Sequence, residues 1–207
     1  MLNKKLILTL ILITLATCTS ADSREEKILK YSVDKEKISK YEVYLVNPEL
    51  YTTIGVEFHK KYQQYLIGIA RYVAEEKNIS IMEKSIGFYY DKREKKTNKL
   101  YLGIDIIVKL DPSEQSAYEV VALDQLRKYL NDMLYILQSC KSIFAEEEVV
   151  GSVIGVRWER EKTTEMVTIW IDKKDVLRFE KKELTFNEII QRNIVTNTEG
   201  KVIKLLR

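Results

Sequence analysis

Two long segments of the chain repeat apolar residues at the spacing of one helix face. The first segment begins at Phe58 and the second at Leu123. Because residues three or four positions apart lie on the same side of a helix, each segment predicts an amphipathic helix that buries one stripe. The stripes are Phe58, Tyr62, Tyr65, Leu66, Ile69, Tyr72 and Val73 in the first segment, and Leu123, Leu126, Leu130, Met133, Leu134, Leu137 and Cys140 in the second.

Segments with apolar residues at every second position follow both predicted helices. Such runs occur at 86–90, 100–110, 154–158 and 166–171. This alternation is typical of strands that bury one face, so each run predicts a strand. A further extended apolar segment, Tyr41–Val46, precedes the first helix and predicts another strand.

The two prolines of the chain mark junctions between predicted strands and helices. Asn47 and Pro48 precede the first helix, and Asp111 and Pro112 precede the second. Asn and Asp are favoured N-caps, and proline suits the first helical position because no N–H is needed there. We therefore expect both helices to begin at these dipeptides, with Gly55 as the alternative start of the first and Glu114 completing a box-like cap on the second.

The order of the predicted elements is strand, helix, strand, strand, helix, strand, strand. It predicts an α+β fold, in which an antiparallel sheet carries the two long amphipathic helices on one face in the ferredoxin-like βαββαβ order. Shifts of 67 or 68 residues align 86–91 with 154–159 and 100–105 with 167–172. This likeness indicates either a duplicated unit or two generic hairpins, and both interpretations stay open.

Three short elements are predicted in the C-terminal part of the chain, as an extension of this fold. Val176–Phe179 predicts a strand, and Lys201–Leu206 predicts a last one. Thr185 and Glu188 have the spacing of a capping box, which predicts a short helix that ends near Ile194.

The N-terminus has the pattern of an export signal. Lys4 and Lys5 precede an apolar run, Leu6–Leu15, that is interrupted only by Thr9 and Thr14. A run of about 10 apolar residues is half of what a membrane-spanning helix needs, but it matches the central region of a cleaved signal peptide.

The end of this leader resembles the lipobox of bacterial lipoproteins. Leu15, Ala16, Thr17 and Cys18 occupy the four positions of that motif, with Thr17 in place of the usual Gly, Ala or Ser, as in the looser boxes of spirochaete lipoproteins. The resemblance implies cleavage before Cys18 and attachment of diacylglycerol to its sulfur. It covers the leader alone, and the folded part resembles no family known to us.

Two other interpretations of the N-terminus stay open, namely cleavage after Ala21 to release a soluble exported protein, and an uncleaved anchor. The other cysteine, Cys140, lies on a predicted buried helix face far from Cys18. Lipidation gives Cys18 a use and leaves Cys140 as a small core residue. We therefore expect a signal peptide at 1–17, a lipidated N-terminus and flexible tether at 18–40, and one α+β domain at 41–207. A helical stretch around Glu25–Tyr31 is an alternative within the tether and would shorten its reach.

Charge and composition narrow the classes of partner. The 34 basic and 31 acidic residues are interspersed, and two of the basic ones, Lys4 and Lys5, belong to the leader. A balanced and mixed surface argues against a nucleic-acid footprint. The charged segment 92–96 lies between two predicted strands, so we expect it to form a solvated hairpin tip.

The sequence contains no clear catalytic, cofactor or metal signature. His59 is the only histidine, and we expect it at the surface or at its boundary. We predict no catalytic residue, no cofactor and no metal site. Asp105 and Asp172 have matching strand positions and form the one acid pair that could support hydrolysis, although strand alternation alone also explains them.

Three aromatic residues fall on the strand face opposite the predicted core, namely Tyr89, Tyr101 and Trp170. Rigid exposed aromatic side chains supply binding area at little entropic cost, so we predict that these three contact a partner. The alternative is that the C-terminal elements from Val176 onward fold over them.

These observations together predict a lipid-anchored, non-enzymatic protein of the bacterial cell envelope that binds a macromolecule. The membrane is one expected partner, and a protein of the envelope or a host molecule is the other. A small hydrolase that uses carboxylates and a purely structural spacer are the alternative functions.

Overall fold

The protein has an α+β fold, as predicted. The computed structural model describes residues 24–33, 35–47, 52–93, 98–111, 113–160 and 163–205, with the backbone alone at 35–38. The described α-helices are α1 (24–31), α2 (Lys35–Glu42), α3 (Thr53–Arg71), α4 (Tyr118–Gln138), α5 (Lys141–Phe144), α6 (Lys173–Glu180) and α7 (Phe186–Arg192), and a π-helical turn, Tyr72–Glu76, continues α3. The described strands are β1 (Ser80–Ile81), β2 (Gly87–Tyr89), β3 (Leu100–Val108), β4 (Val149–Arg160), β5 (Thr163–Asp172) and β6 (Ile194–Thr196).

The two long helices match the two predicted stripes, but neither begins at the expected cap. The N-cap of α3 is Thr52, whose hydroxyl accepts a hydrogen bond from the Gly55 amide at 3.2 Å. Helix α4 begins only at Tyr118. Asp111 instead accepts hydrogen bonds from Ser113 within a turn. Short Asp side chains favour such local turns as readily as caps, which explains the wrong prediction.

The strands form one mostly antiparallel sheet in the order β1, β3, β4, β5, β6, with β2 on the same edge of β3 as β1. Strands β3 and β4 are neighbours and parallel, joined by α4. A ferredoxin-like sheet places another strand between the two that a helix connects, so the strand order differs from the predicted one. A parallel pair needs a crossover connection, and α4 supplies it.

The predicted likeness of the two halves recurs in the topology. In both halves a helix joins parallel partners, since Leu45 pairs with Ile86 around α3 and Ile104 pairs with Ile154 around α4. An antiparallel hairpin follows each helix. The registers of the two hairpins differ by two residues. Phe88 lies opposite Leu102 in the first hairpin, and the matching residues of the second are Val156 and Ile169, but Val156 lies opposite Val167.

Both long helices pack on the same face of the sheet, which confirms that part of the prediction. Phe58 of α3 lies edge-on to Phe88 of β2, with ring centroids 5.5 Å apart, and Tyr118 of α4 contacts Trp158 of β4 at 5.7 Å. The buried strand residues of this face are Phe88, Leu102, Ile104, Ile106, Ile154, Val156, Trp158, Val167, Ile169 and Ile171.

The segment expected to form a flexible tether, 18–40, contains two helices where it is described, and the first lies where a helical stretch was the alternative. Residues 24–31 are helical, and Ile28 belongs to the core with 2% of its surface exposed. A Cβ atom at Gly68 would lie 2.3 Å from the Ile28 carbonyl oxygen, so α1 and α3 approach very closely. The predicted strand at Tyr41–Val46 is also mostly replaced, because α2 continues to Glu42 and only Leu45 forms a bridge.

The C-terminal part follows the prediction at one of three elements. The Thr185 and Glu188 capping box is present and opens α7, as expected. Segment Val176–Phe179 is helical rather than extended, because Asp175 and Val176 are buried while Leu177 is exposed, which is a one-sided helical pattern. The last strand is β6, and within 201–205 only Val202 forms a bridge, to Thr196.

Candidate binding face

The sheet face opposite the helices carries all three predicted binding residues. Tyr89 pairs with Tyr101 across β2 and β3, and Trp170 of β5 lies one row further along, opposite Val153 of β4. Directly paired residues point to the same side of a sheet. We call this side the open face. Ile107, on the same side of β3, keeps 38% of its surface exposed.

Two of the predicted residues form a tight aromatic pair. The rings of Tyr101 and Trp170 meet edge to face, with centroids 5.2 Å apart and an angle of 82°. Tyr89 donates its hydroxyl to the Ser85 carbonyl at 2.7 Å, which holds its ring along the strand. We call Tyr89, Tyr101 and Trp170 the aromatic cluster. Edge-to-face geometry is a favoured arrangement of aromatic side chains, so the cluster is rigid.

Glycines beneath the cluster allow its rings to lie against the backbone. A Cβ atom at Gly103 would lie 2.7 Å from the Tyr89 ring and 2.4 Å from Val153. At Gly151 it would lie 2.8 Å from the Tyr101 ring. Strand glycines often mark such close approaches, and an aromatic ring beside a glycine restores the packing that the missing side chain cannot provide.

The cluster is only partly exposed, although the prediction treated its three aromatic side chains as exposed. Tyr101 is 6% exposed and Val153 is 4% exposed, although neither belongs to the main core. Tyr89 and Trp170 remain half-buried. The accessible part of the cluster therefore consists of Tyr89 and Trp170, with Tyr101 as their support.

The chain segment after β2 covers part of the cluster, and the C-terminal strand β6 adjoins it, because Ile194 pairs with Trp170. The Arg93 guanidinium lies 5.3 Å from the centroid of the Trp170 ring. Arg93 also donates two side-chain hydrogen bonds of 2.7 Å to the Asp91 carboxylate. The buried C-terminal residues Val176 and Ile189 belong to the core on the helix side.

The Asp91 and Arg93 pair fixes this local fold. Asp91 is only 4% exposed, and its hydrogen bonds from Arg93 lower the pKa of the carboxyl group below its usual range. The expected solvated hairpin tip therefore holds one cation against the open face. A fork-shaped guanidinium suits this role because it can bind a carboxylate and stack on a ring at the same time.

A second acid lies further along the open face. The Asp105 carboxyl group occupies the space above Gly155, where a Cβ atom would lie 2.1 Å from its Oδ1. Burial raises the pKa of Asp105 to about 6, opposed by the nearby charge of Arg157 and the Gly155 amide. The Arg157 Nε atom is buried without a hydrogen-bond partner among the described residues. The two groups form a polar site beside the aromatic cluster.

The predicted acid pair is not assembled. Asp105 lies on β3 and Asp172 at the end of β5, which are not neighbouring strands. Asp172 is exposed and forms an ion pair with Lys174 at 3.7 Å. His59 is buried, with 7% of its surface exposed, rather than placed at the surface, and burial lowers its pKa. Within the described residues, no three potential metal ligands cluster.

The two cysteines fall in different parts of the molecule. Cys140 is fully buried at the end of α4, and burial raises the pKa of its thiol. Cys18 lies outside the described residues, as does the predicted leader. Among the helices that are described, none combines the length and the apolar character needed to cross a bilayer.

Sequence reasoning missed the residues that organise the open face. Four of the seven glycines lie on this side of the sheet, at positions 87, 103, 151 and 155, and all but Gly151 fall within predicted strands. Along each strand these glycines alternate with the apolar residues that face the core. This alternation could have indicated that side chains pack closely against the backbone of the open face. The role of Arg93 had no such signal, because it depends on a contact with Trp170, which lies far away in the sequence.

Comparison with protein-family models, with curated proteins and with solved structures gives no match. The function must therefore be argued from the molecule itself.

Proposed function

We propose that this protein is a membrane-anchored lipoprotein of the bacterial envelope that binds another macromolecule through the open face. The observation that carries the proposal is the aromatic cluster, whose rigid rings leave Tyr89 and Trp170 partly accessible. Tyr and Trp dominate the binding energy of protein interfaces because they bury a large area at little entropic cost.

The polar groups around the cluster support a binding role. Arg93 and Asp91 lie on one side, and Asp105 and Arg157 on the other. An apolar centre with a rim of charged and hydrogen-bonding groups is the usual anatomy of a specific interface. The mixed charges favour a protein partner, in the envelope or from a host, over a nucleic acid.

The leader supports the membrane anchor. The motif that ends at Cys18 resembles a lipobox, and diacylglycerol on its sulfur would hold the chain to a bilayer far more firmly than one acyl chain could. Residue 24, where the described fold begins, follows Cys18 by only six positions. The folded domain would consequently lie close to the membrane surface.

An envelope hydrolase is the second candidate, and the raised pKa of Asp105 is the observation that favours it. A perturbed carboxyl group is a common property of catalytic acids. Among the described residues of the open face, none offers Asp105 a second carboxylate at a neighbouring strand position to divide acid and base roles. A purely structural spacer would use neither Asp105 nor the aromatic cluster.

Metabolic labelling with palmitate tests the anchor. The wild-type protein is expected to take up label and to float with membranes, whereas Cys18→Ala is expected to lose both properties. Label that persists in Cys18→Ala, or that never enters the wild type, would contradict lipidation.

Photo-crosslinking on intact cells tests the binding face. A photoreactive residue beside Trp170 is expected to capture one defined partner, and Trp170→Ala is expected to reduce that capture about tenfold or more, as for a hot-spot aromatic residue. The control is Ile107→Ala, which removes an exposed apolar residue from the same face. Equal capture by both variants, at unchanged melting temperature, would argue against the aromatic cluster as the binding site.

A further inference from the structure

Helix α1 lies on the side of the domain opposite the open face. Its contacts are with helices that cover the sheet, since Ile28 packs on Gly68 of α3 and Arg24 stacks on the Tyr135 ring of α4 at 4.3 Å. The Glu25 carboxylate accepts a hydrogen bond of 2.9 Å from the Ser142 amide of α5. The first described element is thus fixed firmly to the helix side of the molecule.

A cleft of about 510 Å³ follows the outer surface of α1. It is lined by Lys27, Lys30 and Tyr31 of α1 and by Arg71 of α3. Arg71 donates a hydrogen bond of 3.2 Å to the Tyr31 carbonyl, so the two helices form one continuous surface. Three cations and a tyrosine therefore meet in one concave region.

The acids near this cleft are already engaged by neighbouring groups. Hydrogen bonds from the Tyr41 hydroxyl and from Arg71, the latter at 2.9 Å, lower the pKa of Glu75 to about 2. Tyr31 donates its hydroxyl to Glu76. Lys27 and Lys30 are exposed and form no ion pair with any described residue. Glu26 is the exposed acid of the same helix, and it opposes their charge.

Apolar and amphipathic groups continue this surface beyond the cleft. Val33, just after α1, is 71% exposed, and Leu29 and Tyr31 are half-buried. Tyrosine beside lysine is a frequent combination at the interface between lipid and water, where the ring and the ammonium group reach different depths.

The length of chain before α1 restricts where this surface can lie. Arg24 follows Cys18 by six positions, and even a fully extended chain of that length spans only about 20 Å. A lipid on Cys18 would therefore keep the start of α1 close to the headgroups.

We propose that the outer surface of α1 binds the phosphate groups of anionic phospholipids through Lys27 and Lys30, while Arg71 is held by Glu75 and the Tyr31 carbonyl at the floor of the cleft. This inference rests on the proposed anchor at Cys18. The contact holds the helix side against the membrane and turns the open face away from it, toward a partner. The lipid anchor alone restricts the distance between the domain and the membrane. The contact of α1 with the headgroups determines which side of the domain faces the membrane.

A fluorescence experiment on the acylated full-length protein tests this orientation. The protein is reconstituted into vesicles of phosphatidylcholine and phosphatidylglycerol that carry a headgroup-linked quencher. A thiol-reactive fluorophore is placed at Val33→Cys or, as the matched control on the open face, at Thr164→Cys. Native Cys140 is fully buried, so it does not compete for the label. Quenching is expected to be several-fold stronger at position 33 than at position 164.

Charge variants in the Val33→Cys protein test the role of the lysines. Lys27→Gln with Lys30→Gln is expected to shift the equilibrium away from the quenched orientation by about twentyfold, because each lysine near an anionic surface contributes about fivefold. Glu26→Gln is expected to change it in the opposite direction. The matched control, Lys92→Gln with Lys109→Gln on the open side, is expected to leave it unchanged.

The outcomes separate this inference from the anchor itself. Failure of the protein to float with the vesicles overturns both. Flotation with equal quenching at the two positions, or with equal effects of the two lysine pairs, overturns the α1 contact and leaves the anchor in place. The same quenching pattern in vesicles of phosphatidylcholine alone also overturns it, because the proposed contact requires anionic headgroups.

Discussion

The two faces of the sheet are built from the same strands by opposite means. On the helix side, branched aliphatic residues such as Ile104, Ile106 and Ile154 are fully buried under α3 and α4. On the open face, Gly103 and Gly151 remove side chains, and tyrosine rings occupy the space above them. The helix side is stabilised by the helices that bury it, whereas the surface of the open face is formed by the packing of its own strand residues.

This difference shows how a sheet can be rigid on a side without helices. Aliphatic side chains on an uncovered face would expose apolar area without a fixed arrangement. Rings that lie on glycine backbone are held by contacts below them and by their neighbours, such as Trp170 against Tyr101. A surface that is ordered before it binds loses less entropy when a partner arrives.

The largest effect is expected from comparing two adjacent isoleucines. Ile106 is fully buried on the helix side, and Ile107 is 38% exposed on the open face. Ile106→Ala is expected to lower the free energy of unfolding by about 2–5 kcal/mol through lost burial and a cavity, whereas Ile107→Ala should cost less than about 1 kcal/mol. Urea denaturation measures both variants. Similar losses at the two positions would contradict the assignment of the faces.

A smaller effect is expected at the glycines of the open face. Gly103→Ala places a methyl group against the Tyr89 ring and Val153, and is expected to destabilise the domain by about 1–3 kcal/mol through overpacking. Tyr89→Ala in the same chain is expected to restore part of this loss, because it removes one of the two clashes. A double-mutant cycle by thermal and urea unfolding measures the coupling, and strict additivity would show that the ring does not rest on Gly103.

Asp105 provides a test through pH. Burial raises its pKa from 3.8 to about 6, so the folded state binds a proton more tightly than the unfolded chain. Its contribution to stability is therefore complete below about pH 4 and is lost as the pH rises through about 6. Asp105→Asn is expected to be more stable than wild type by about 1–2 kcal/mol at about pH 8 and similar at about pH 4.

Urea unfolding at the two pH values measures this difference for Asp105→Asn. The control is Asp172→Asn, because Asp172 is exposed on the same face. A loss of stability in Asp105→Asn at high pH would show that its charge is needed by Arg157 and outweighs the burial.

The smallest effect is expected at the cation above Trp170. Arg93→Lys keeps the charge but loses the two-pronged hydrogen bonding to Asp91 and most of the stacking on the ring, so it should cost about 1 kcal/mol or less. Tryptophan fluorescence is expected to shift, because the environment of Trp170 changes while Trp158 stays in the core. An unchanged spectrum would mean that Arg93 does not cover the ring in solution.

The sequence predicted the long elements well and the junctions poorly. The stripes of α3 and α4 and the alternation in β3, β4 and β5 extend over many residues, so the pattern outweighs local exceptions. Asn47 and Asp111 are predicted as helix caps from short-range preference alone. The observed N-caps lie several residues later, at Thr52 for α3 and at Ala117 for α4. Segment Val176–Phe179 was too short for its pattern to distinguish a strand from a helix.

Strand periodicity predicted which aromatic residues share the open face, but not how they pack there. Strand alternation placed Tyr89, Tyr101 and Trp170 on one side, and the register brings them together. Their partial burial depends on the glycines of neighbouring strands and on the loop that carries Arg93. Those contacts join residues far apart in sequence, and local pattern carries no information about them.

The sequence by itself determined which residues face the core, because helical and strand periodicity places apolar side chains on one side wherever water must be excluded. Only the tertiary structure decided that β3 and β4 pair in parallel, that α1 packs on the helix side at Gly68, and that rings cover the glycines of the open face. These features depend on the shapes of surfaces that meet only after the chain has folded, so periodicity fixes the faces while packing fixes what each face contacts.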